Sequence, residues 1–420
     1  MKVKLAYGRD GLEVDLPRER TTVIEPTYVP GLPDAEGAIR TALRNPIGTA
    51  PLRQIVKQGQ SVAISVCDIT RPMPSRTLLP VLLGELRHLP PQDITILIAT
   101  GTHRTNTNEE LAEMLGEDVV GKYRVVNHDG FDDDLLEKIG STEAGIEVSL
   151  NRRWVESDVR ITTGFVEPHF FAGFSGGPKM VAPGLAGFPT IMRLHDAAMI
   201  GHPDARFAVT VGNPIHDAIR EIAGMSGVDF AVDVTINREH RITSVYAGEL
   251  FAVHNAARAV ARRLAMQPVN SAFDVVLTTN SGYPLDQNLY QAVKGMSAAA
   301  QVVRDGGRII CAAECSEGIP EHGQYRRILA SRGSPAELLE MIQQPGFDRH
   351  DQWQAQIQAQ IQMKADVYLK SGFLTPQQVA EAHLKPVEHI EDAIAECGPD
   401  AQICVLPEGP QTIPFIASNE

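Results

Sequence analysis

Between residues 167 and 195 the chain places Glu167-Pro168-His169, then a glycine-rich stretch ending in Gly176-Gly177-Pro178-Lys179, then His195. A lysine beside tight-turning glycines, with a histidine on either side, can hold an organic ring, bind a metal and move a proton. The apolar run Asp158-Val159-Arg160-Ile161-Thr162-Thr163 directly precedes the segment and reads as a strand. In open α/β sheets, sites form outside the carboxyl ends of such strands, which marks this segment as a candidate site. Pro178 and Met180 flank Lys179, so the Gly-Lys-Ser/Thr order of a phosphate loop is missing, and Pro178 removes an N–H that such a cradle uses. No G-x-G-x-x-G follows a strand, which leaves a nicotinamide Rossmann site unsupported. Lys179 is better read as a reactive or charge-pairing amine, with a solvated loop lysine as the plainer alternative.

Three more polar clusters lie just beyond predicted strands. Asp68-Ile69-Thr70-Arg71-Pro72 follows Ser61 to Val66, and Gly101-Thr102-His103-Arg104 follows Asp93 to Ala99. Tyr290-Gln291-Ala292-Val293-Lys294 sits a short turn and a helix start after Phe273 to Thr278. Strand ends in a parallel sheet face one side, so the clusters are expected to converge. Arg71 offers a planar fork suited to a carboxylate or phosphate, and Asp68 is placed to orient it; a surface ion pair at a proline turn is the other reading. His103 follows two small residues, where a ring reaches a cleft without steric cover. Phe170 and Phe171 are placed to shield His169 from water and tune its titration. Either histidine also has a structural reading, as a ring bonded to backbone. Gln291 and Lys294, at i and i+3, share a helix face beside Tyr290, and a lysine at a helix start points to a local anion or a solvated face. Trp353 is a lid contact or a core residue. His195 lies on a predicted helix with no His-x-x-x-His pair, so a zinc site built by protein alone is not expected. A metal carried mostly by an organic cofactor needs only one protein ligand.

The elements that must position these residues alternate along the chain. Short β-branched runs at Ser61–Val66, Asp93–Ala99, Val159–Thr163, Asp229–Val234, Phe273–Thr278 and Arg308–Ala313 are separated by helical stretches. That alternation predicts an α/β fold, two α/β domains with largely parallel sheets and the active site in the cleft between them. With 420 residues, two domains are expected, at 1–262 and 269–420, joined near the helix Leu250–Ala265. Met1 to Leu5 alternates like a first strand, Trp353 to Leu369 has helical composition, and Val387 to Glu396 reads as a helix. Thr375-Pro376 supplies an N-cap followed by proline at the first helical position. The formal charge of −14 argues against nucleic acid and anionic membranes as general partners, though a few local cations can still receive an anionic substrate. No signal-peptide core follows the first residues, and no run of about 18 apolar residues suggests a membrane span. Five scattered cysteines fit a reducing cytoplasm.

Together, Asp68-x-x-Arg71, Gly101-Thr102-His103, the block Glu167 to Gly177 with Lys179, then His195, Gln291-x-x-Lys294 and Trp353 resemble the nickel-dependent lactate racemase family, the racemases and epimerases of 2-hydroxy acids. The resemblance covers most of the chain and is strongest around His169 and Lys179. It implies nickel and a nickel-pincer nucleotide, a pyridinium-3,5-bisthiocarboxylic acid mononucleotide, tethered covalently at Lys179 with His195 on the metal. It implies His103 and His169 as the acid/base pair and Arg71 with Lys294 as substrate-orienting cations. Asp68, Tyr290, Gln291, Trp353, Gly176 and Gly177 would line the cofactor site. The implied partners are a small anionic 2-hydroxy acid and, transiently, proteins that make the cofactor. Another 2-hydroxy acid (malate, an aromatic or a sugar acid) is an alternative substrate, and a non-catalytic nucleotide- or carboxylate-binding protein is the alternative class.

Overall fold

The computed structural model describes residues 1–321 and 323–417. Twelve strands form its two main sheets. They are β1 (Thr21–Val23), β2 (Val62–Cys67), β3 (Ile94–Ala99), β4 (Arg124–Asn127), β5 (Val159–Phe165), β6 (Phe230–Ile236), β7 (Ile242–Gly248), β8 (Phe273–Thr279), β9 (Val303–Ala312), β10 (Asp366–Lys370), β11 (Lys385–Pro386) and β12 (Ile403–Leu406). The chain divides into two compact units, one of Tyr28–His195 with Pro203–Arg262, the other of Met1–Thr27, Asp196–His202 and Arg263–Glu420.

The first unit holds the sheet β7-β6-β5-β2-β3-β4, parallel except for β7, which runs antiparallel to β6. All six residues of β2 are buried, the near-continuous apolar run of a parallel strand covered on both faces. Its Val62, Ile64 and Val66 side chains each stabilise the fold by about 1.5–3 kcal/mol relative to exposure. Helix α1 (Ala35–Arg44) packs on α3 (Ser75–Glu85) and on β7, with the short α2 (Leu52–Ile55) beside α1. Helices α4 (Phe188–Leu194), α5 (Pro214–Ser226) and α6 (Leu250–Ala265) follow further along this part of the chain. From β2 the chain winds outward to β3 and β4, then returns to add β5 and β6 on the other side of β2. The order therefore reverses between β2 and β5, and ligands bind at the carboxyl ends of strands at such a reversal.

The second unit holds the fully parallel sheet β11-β10-β9-β8-β12-β1. Helix α7 (Leu289–Ala300) packs on β8 and β9, and α8 (Gln352–Lys364) packs on α7. Val275, Leu277, Ile310, Ile403 and Val405 form the centre of its core with Leu5 and Val14 of an N-terminal hairpin. This is why the units are not contiguous in sequence. Thr21 to Val23 pair with Ile403 to Val405, and Arg20 donates to the carbonyls of Gly398 and Ala401. The first 27 residues thus belong with the C-terminal sheet rather than with residues 28–262. Asp196–His202 joins the same unit, where Gln356 Nε2 donates to Ala197 O at 2.8 Å.

Two predicted elements are shorter than expected. The helix beginning beside Trp353 ends at Lys364, and Asp366–Lys370 becomes β10, its Val367 and Leu369 buried in strand alternation. The stretch expected as Val387–Glu396 is helical only over Ile390–Ala395. Thr375 does cap the helix Pro376–Glu381, with Gln378 completing the capping box. Among the described residues no helix is long and apolar enough to cross a membrane.

Candidate active site

Asp68, His103 and the Glu167–Lys179 segment leave the carboxyl ends of three neighbouring parallel strands, β2, β3 and β5. At the end of β2, Asp68 is 2% exposed, and its Oδ2 accepts from His103 Nδ1 at 2.6 Å. Its Oδ1 accepts from Thr70 N at 3.2 Å and Thr70 Oγ1 at 2.7 Å. Burial alone would raise the Asp68 pKa, but the His103 ring, its hydrogen bond and the Arg71 guanidinium bring it down to about 2. The carboxylate is therefore ionised, and His103 must carry a proton on Nδ1. In the neutral ring that leaves the lone pair on Nε2, a nitrogen with no partner among the described residues. His103 itself turns out of the β3 end through Gly101, which has φ +58°, and its ring is 34% exposed.

The expected role of Asp68 as the holder of Arg71 is corrected by this arrangement. Its carboxylate serves His103, and the Arg71 fork instead donates to Thr70 O at 3.2 Å and Thr70 Oγ1 at 3.0 Å. Thr70 links the two groups, and no ion-pair distance joins them.

Beyond β5, Pro168-His169 pairs with Gly173-Phe174 in a two-residue ladder. The Ala172 N–H donates to His169 Nδ1 at 3.3 Å, so neutral His169 carries its proton on Nε2. One aromatic ring gathers three of the candidate residues. Phe171 meets the His169 ring edge-on at 4.5 Å and the His195 ring edge-on at 5.2 Å, and Lys179 Nζ lies 5.5 Å from its centroid. His195 caps α4 at its carboxyl end and is 5% exposed. Its Nδ1–H donates to Ile191 O at 2.8 Å, so the neutral ring carries its lone pair on Nε2. Lys179 sits in a short 3-10 turn (Gly177–Met180) entered through Gly176 and Gly177 at φ +69° and +48°. A Cβ at Gly177 would lie 2.5 Å from His254, and one at Gly176 would lie 2.8 Å from Phe165 O, so neither position admits a side chain.

Buried side chains that the sequence reading passed over fix this loop. Asn213, at the start of α5, donates to Phe171 O at 2.9 Å and Val209 O at 3.0 Å. His216 of α5 donates to Ala172 O at 3.3 Å, and His254 of α6 donates to Ser175 O at 2.9 Å. Asp233 of β6 accepts from Gly177 N at 3.1 Å. Burial lowers His216 to about 4, aided by Arg258, and lowers His254 to about 3. Both rings are neutral at pH 7, each with its donor nitrogen on a loop carbonyl. Burial pushes Asp233 up to about 7. The signal for Asp233 was a lone acid inside the apolar strand Phe230-Ala231-Val232-Asp233-Val234; helical histidines in apolar surroundings gave none.

In the second unit, Asn288 caps α7, placing Tyr290, Gln291 and Lys294 on its first two turns. Lys294 Nζ donates to Gln291 Oε1 at 2.5 Å. Trp353 is 5% exposed, and its indole N–H donates to the Tyr290 hydroxyl at 2.9 Å. Gln354 also holds the Tyr290 carbonyl, so α8 fixes the start of α7.

Both parts of the chain match domains of known proteins. Residues 7–208 match the lactate racemase N-terminal domain and residues 269–413 the lactate racemase C-terminal domain. The chain belongs to the lactate racemase family. It is 37% identical to the lactate racemase of Thermoanaerobacterium thermosaccharolyticum, with 98% of each chain covered. It is also 37% identical to that of Lactiplantibacillus plantarum, with 91% of each covered. The solved lactate racemase apoprotein from T. thermosaccharolyticum superposes with a TM-score of 0.91 at 35% identity, covering 99% of this chain and 100% of that one. A protein from Thermotoga maritima shares the fold, with a TM-score of 0.74 at 20% identity over 93% of this chain and 100% of that one. As a member of this family the chain is an isomerase, a racemase.

Proposed function

We propose that the chain inverts C2 of lactate, with His103 and His169 exchanging the hydroxyl proton and Arg71 and Lys294 holding the carboxylate. The observation that carries this reading is the ionised, buried Asp68 on His103 Nδ1, which leaves Nε2 as a base at the end of β3. The C2 hydrogen of a 2-hydroxy carboxylate is a very poor acid because the neighbouring carboxylate already carries charge. Inversion through the planar 2-keto acid therefore requires that hydrogen to leave and return as hydride. A nickel-pincer nucleotide, when bound, supplies the acceptor and donor for that hydride.

The residues fit such a group. Among the described residues no three His, Cys, Asp or Glu side chains could jointly hold a metal; a metal carried by an organic molecule would need only one protein ligand. His195 would supply the one protein ligand through Nε2, and Lys179 would form the covalent tether, both set against Phe171. Gly176 and Gly177 keep the turn free of side chains beside it. Neutral His103 would accept the hydroxyl proton on Nε2, and His169, entering as an imidazolium that has taken its extra proton from solvent, would return one to the oxygen when the other face of C2 is presented, so that each turnover leaves one histidine protonated and the other neutral. Each base contributes roughly 10²–10⁴-fold. Phe170 and Phe171 exclude water beside His169. Gln291, Tyr290 and Trp353 hold Lys294 and its helix in place.

Chiral chromatography of products from lactate, malate, an aromatic and a sugar-derived 2-hydroxy acid tests the substrate. Lactate is expected to racemise fastest; a strong preference for another acid would replace lactate while leaving the chemistry in place.

A further inference from the structure

A second concave surface lies in the first unit, where α1, α2 and the carboxyl end of α3 meet. It encloses about 460 Å³ and is lined by Arg40, Arg44, Arg53 and Arg87 with His88 and Glu85. Volumes of roughly 300–1,000 Å³ are those of small-ligand sites. The chain as a whole carries −14, yet this pocket holds four guanidinium groups and one carboxylate. Glu85 is already engaged, accepting from Arg44 Nε at 2.9 Å and Nη2 at 2.8 Å. The side chains of Arg40, Arg53 and Arg87 make no ion pair or hydrogen bond among the described residues. His88 Nε2 is held by Val56 O at 3.0 Å.

The like charges repel one another, and an anion between them would relieve that repulsion. Arg40 and Arg44 stand at i and i+4 on α1, where like charges repel. Cations do favour helix carboxyl ends, which accounts for Arg44 in the last turn of α1. It does not account for Arg40, one turn earlier, or for Arg87, which lies beyond the end of α3. A cleft lined by one sign of charge concentrates the opposite ion, and the guanidinium fork matches phosphate oxygens. The walls offer Pro80, Val81 and Gly84 and no Phe, Tyr or Trp on which a base could stack, and the one ring present, His88, is tied to Val56 O. Recognition would therefore rest on charge and fork geometry, and three excess positive charges suit an anion with several negative ones.

We propose that this pocket binds one compact polyphosphate group, either a free inorganic chain or the triphosphate tail of a nucleotide. Calorimetry on the full chain in phosphate-free buffer with about 0.15 M salt tests this with tripolyphosphate, ATP, inorganic phosphate, citrate and sulfate. Saturable one-to-one binding of tripolyphosphate is expected, with phosphate, citrate and sulfate weaker. ATP binding at least as tightly identifies the nucleotide tail; ATP binding more weakly identifies the free chain; either upholds the site. The R40Q/R87Q double variant, altered only at exposed positions, should weaken binding about ten-fold or more, the loss of one or two charge-assisted hydrogen bonds. In low salt without anion it should melt higher than the parent, because repulsion is relieved. The proposal is overturned by an absence of saturable binding, by equal binding of sulfate, by unchanged affinity in R40Q/R87Q, or by a lower melting temperature of that variant.

Discussion

Replacing Asp68 with Asn preserves the shape of the buried side chain while reversing one hydrogen bond. The new amide oxygen would still have to accept from Thr70 N and Oγ1, now 3.2 and 2.7 Å from Asp68 Oδ1. That leaves the amide NH₂ group facing His103 Nδ1, where a carboxylate oxygen lies at 2.6 Å. Nδ1 turns from donor to acceptor, and the neutral ring moves its proton to Nε2, the atom that must take the substrate proton. A positioned base contributes roughly 10²–10⁴-fold, so kcat/KM should fall by that factor, about 3–5.5 kcal/mol. Because enantiomers have equal free energy, the loss must be the same in both directions. The carboxylate also steadies the fold: its pKa of about 2 against an unfolded value of 3.8 corresponds to about 2 kcal/mol. That contribution is complete above pH 3.8 and is lost as pH falls through about 2, so Asp68→Asn should melt lower at pH 7 and match the parent near pH 2. The assay is initial racemisation from each enantiomer by chiral chromatography, on protein matched for nickel content and intact mass. A matched variant within about three-fold of the parent would refute the tautomer argument.

Lys179→Ala should lose the covalent cofactor mass, whereas His195→Ala should keep that mass and lose nickel; an adduct persisting in Lys179→Ala would move the tether elsewhere. His216 and His254 are depressed below their ordinary 6.5, to about 4 and about 3, so they favour the folded state above pH 6.5. Stability should decline as pH falls from 6.5 towards 4, and His254→Gln should flatten that slope in a pH series of thermal melts; an unaltered slope would mean His254 does not carry it. Asp233, raised to about 7, has the opposite sign: it costs stability as pH rises through that value. Asp233→Asn, which keeps an acceptor for Gly177 N–H, should raise the melting temperature at pH 8 and leave it nearly unchanged at pH 4, and a uniform loss would assign Asp233 a packing role instead.

The parts of this protein legible in its sequence are those whose signal is local. Strands β2, β3, β5, β6 and β8 are runs rich in apolar and β-branched residues because both faces of a parallel sheet are covered. Polar residues mark where each run leaves the sheet, and so the clusters at Asp68, His103 and His169 were visible before their neighbours were known. The pairing of Thr21–Val23 with β12 was not visible, because it rests on backbone hydrogen bonds that leave no mark on side-chain pattern. The partner of Asp68 stands 35 residues away, so proximity in sequence pointed instead to Arg71. The α8–β10 boundary was missed because Val367, Tyr368 and Leu369 suit either element, and only burial of alternate residues decides between them. Asn213, His216 and His254 escaped notice for a related reason: a polar residue that satisfies a buried carbonyl looks, in sequence, like any other on a helix.

In the proposed reaction the C2 hydrogen moves as hydride while the two histidines handle only the hydroxyl proton. Racemisation of lactate deuterated at C2, run in ordinary water on nickel-loaded protein, separates the two movements. The inverted product is expected to keep its deuterium at C2. Replacement of that deuterium by solvent hydrogen at the rate of inversion would contradict it, because it would mean that a base removes the C2 hydrogen as a proton.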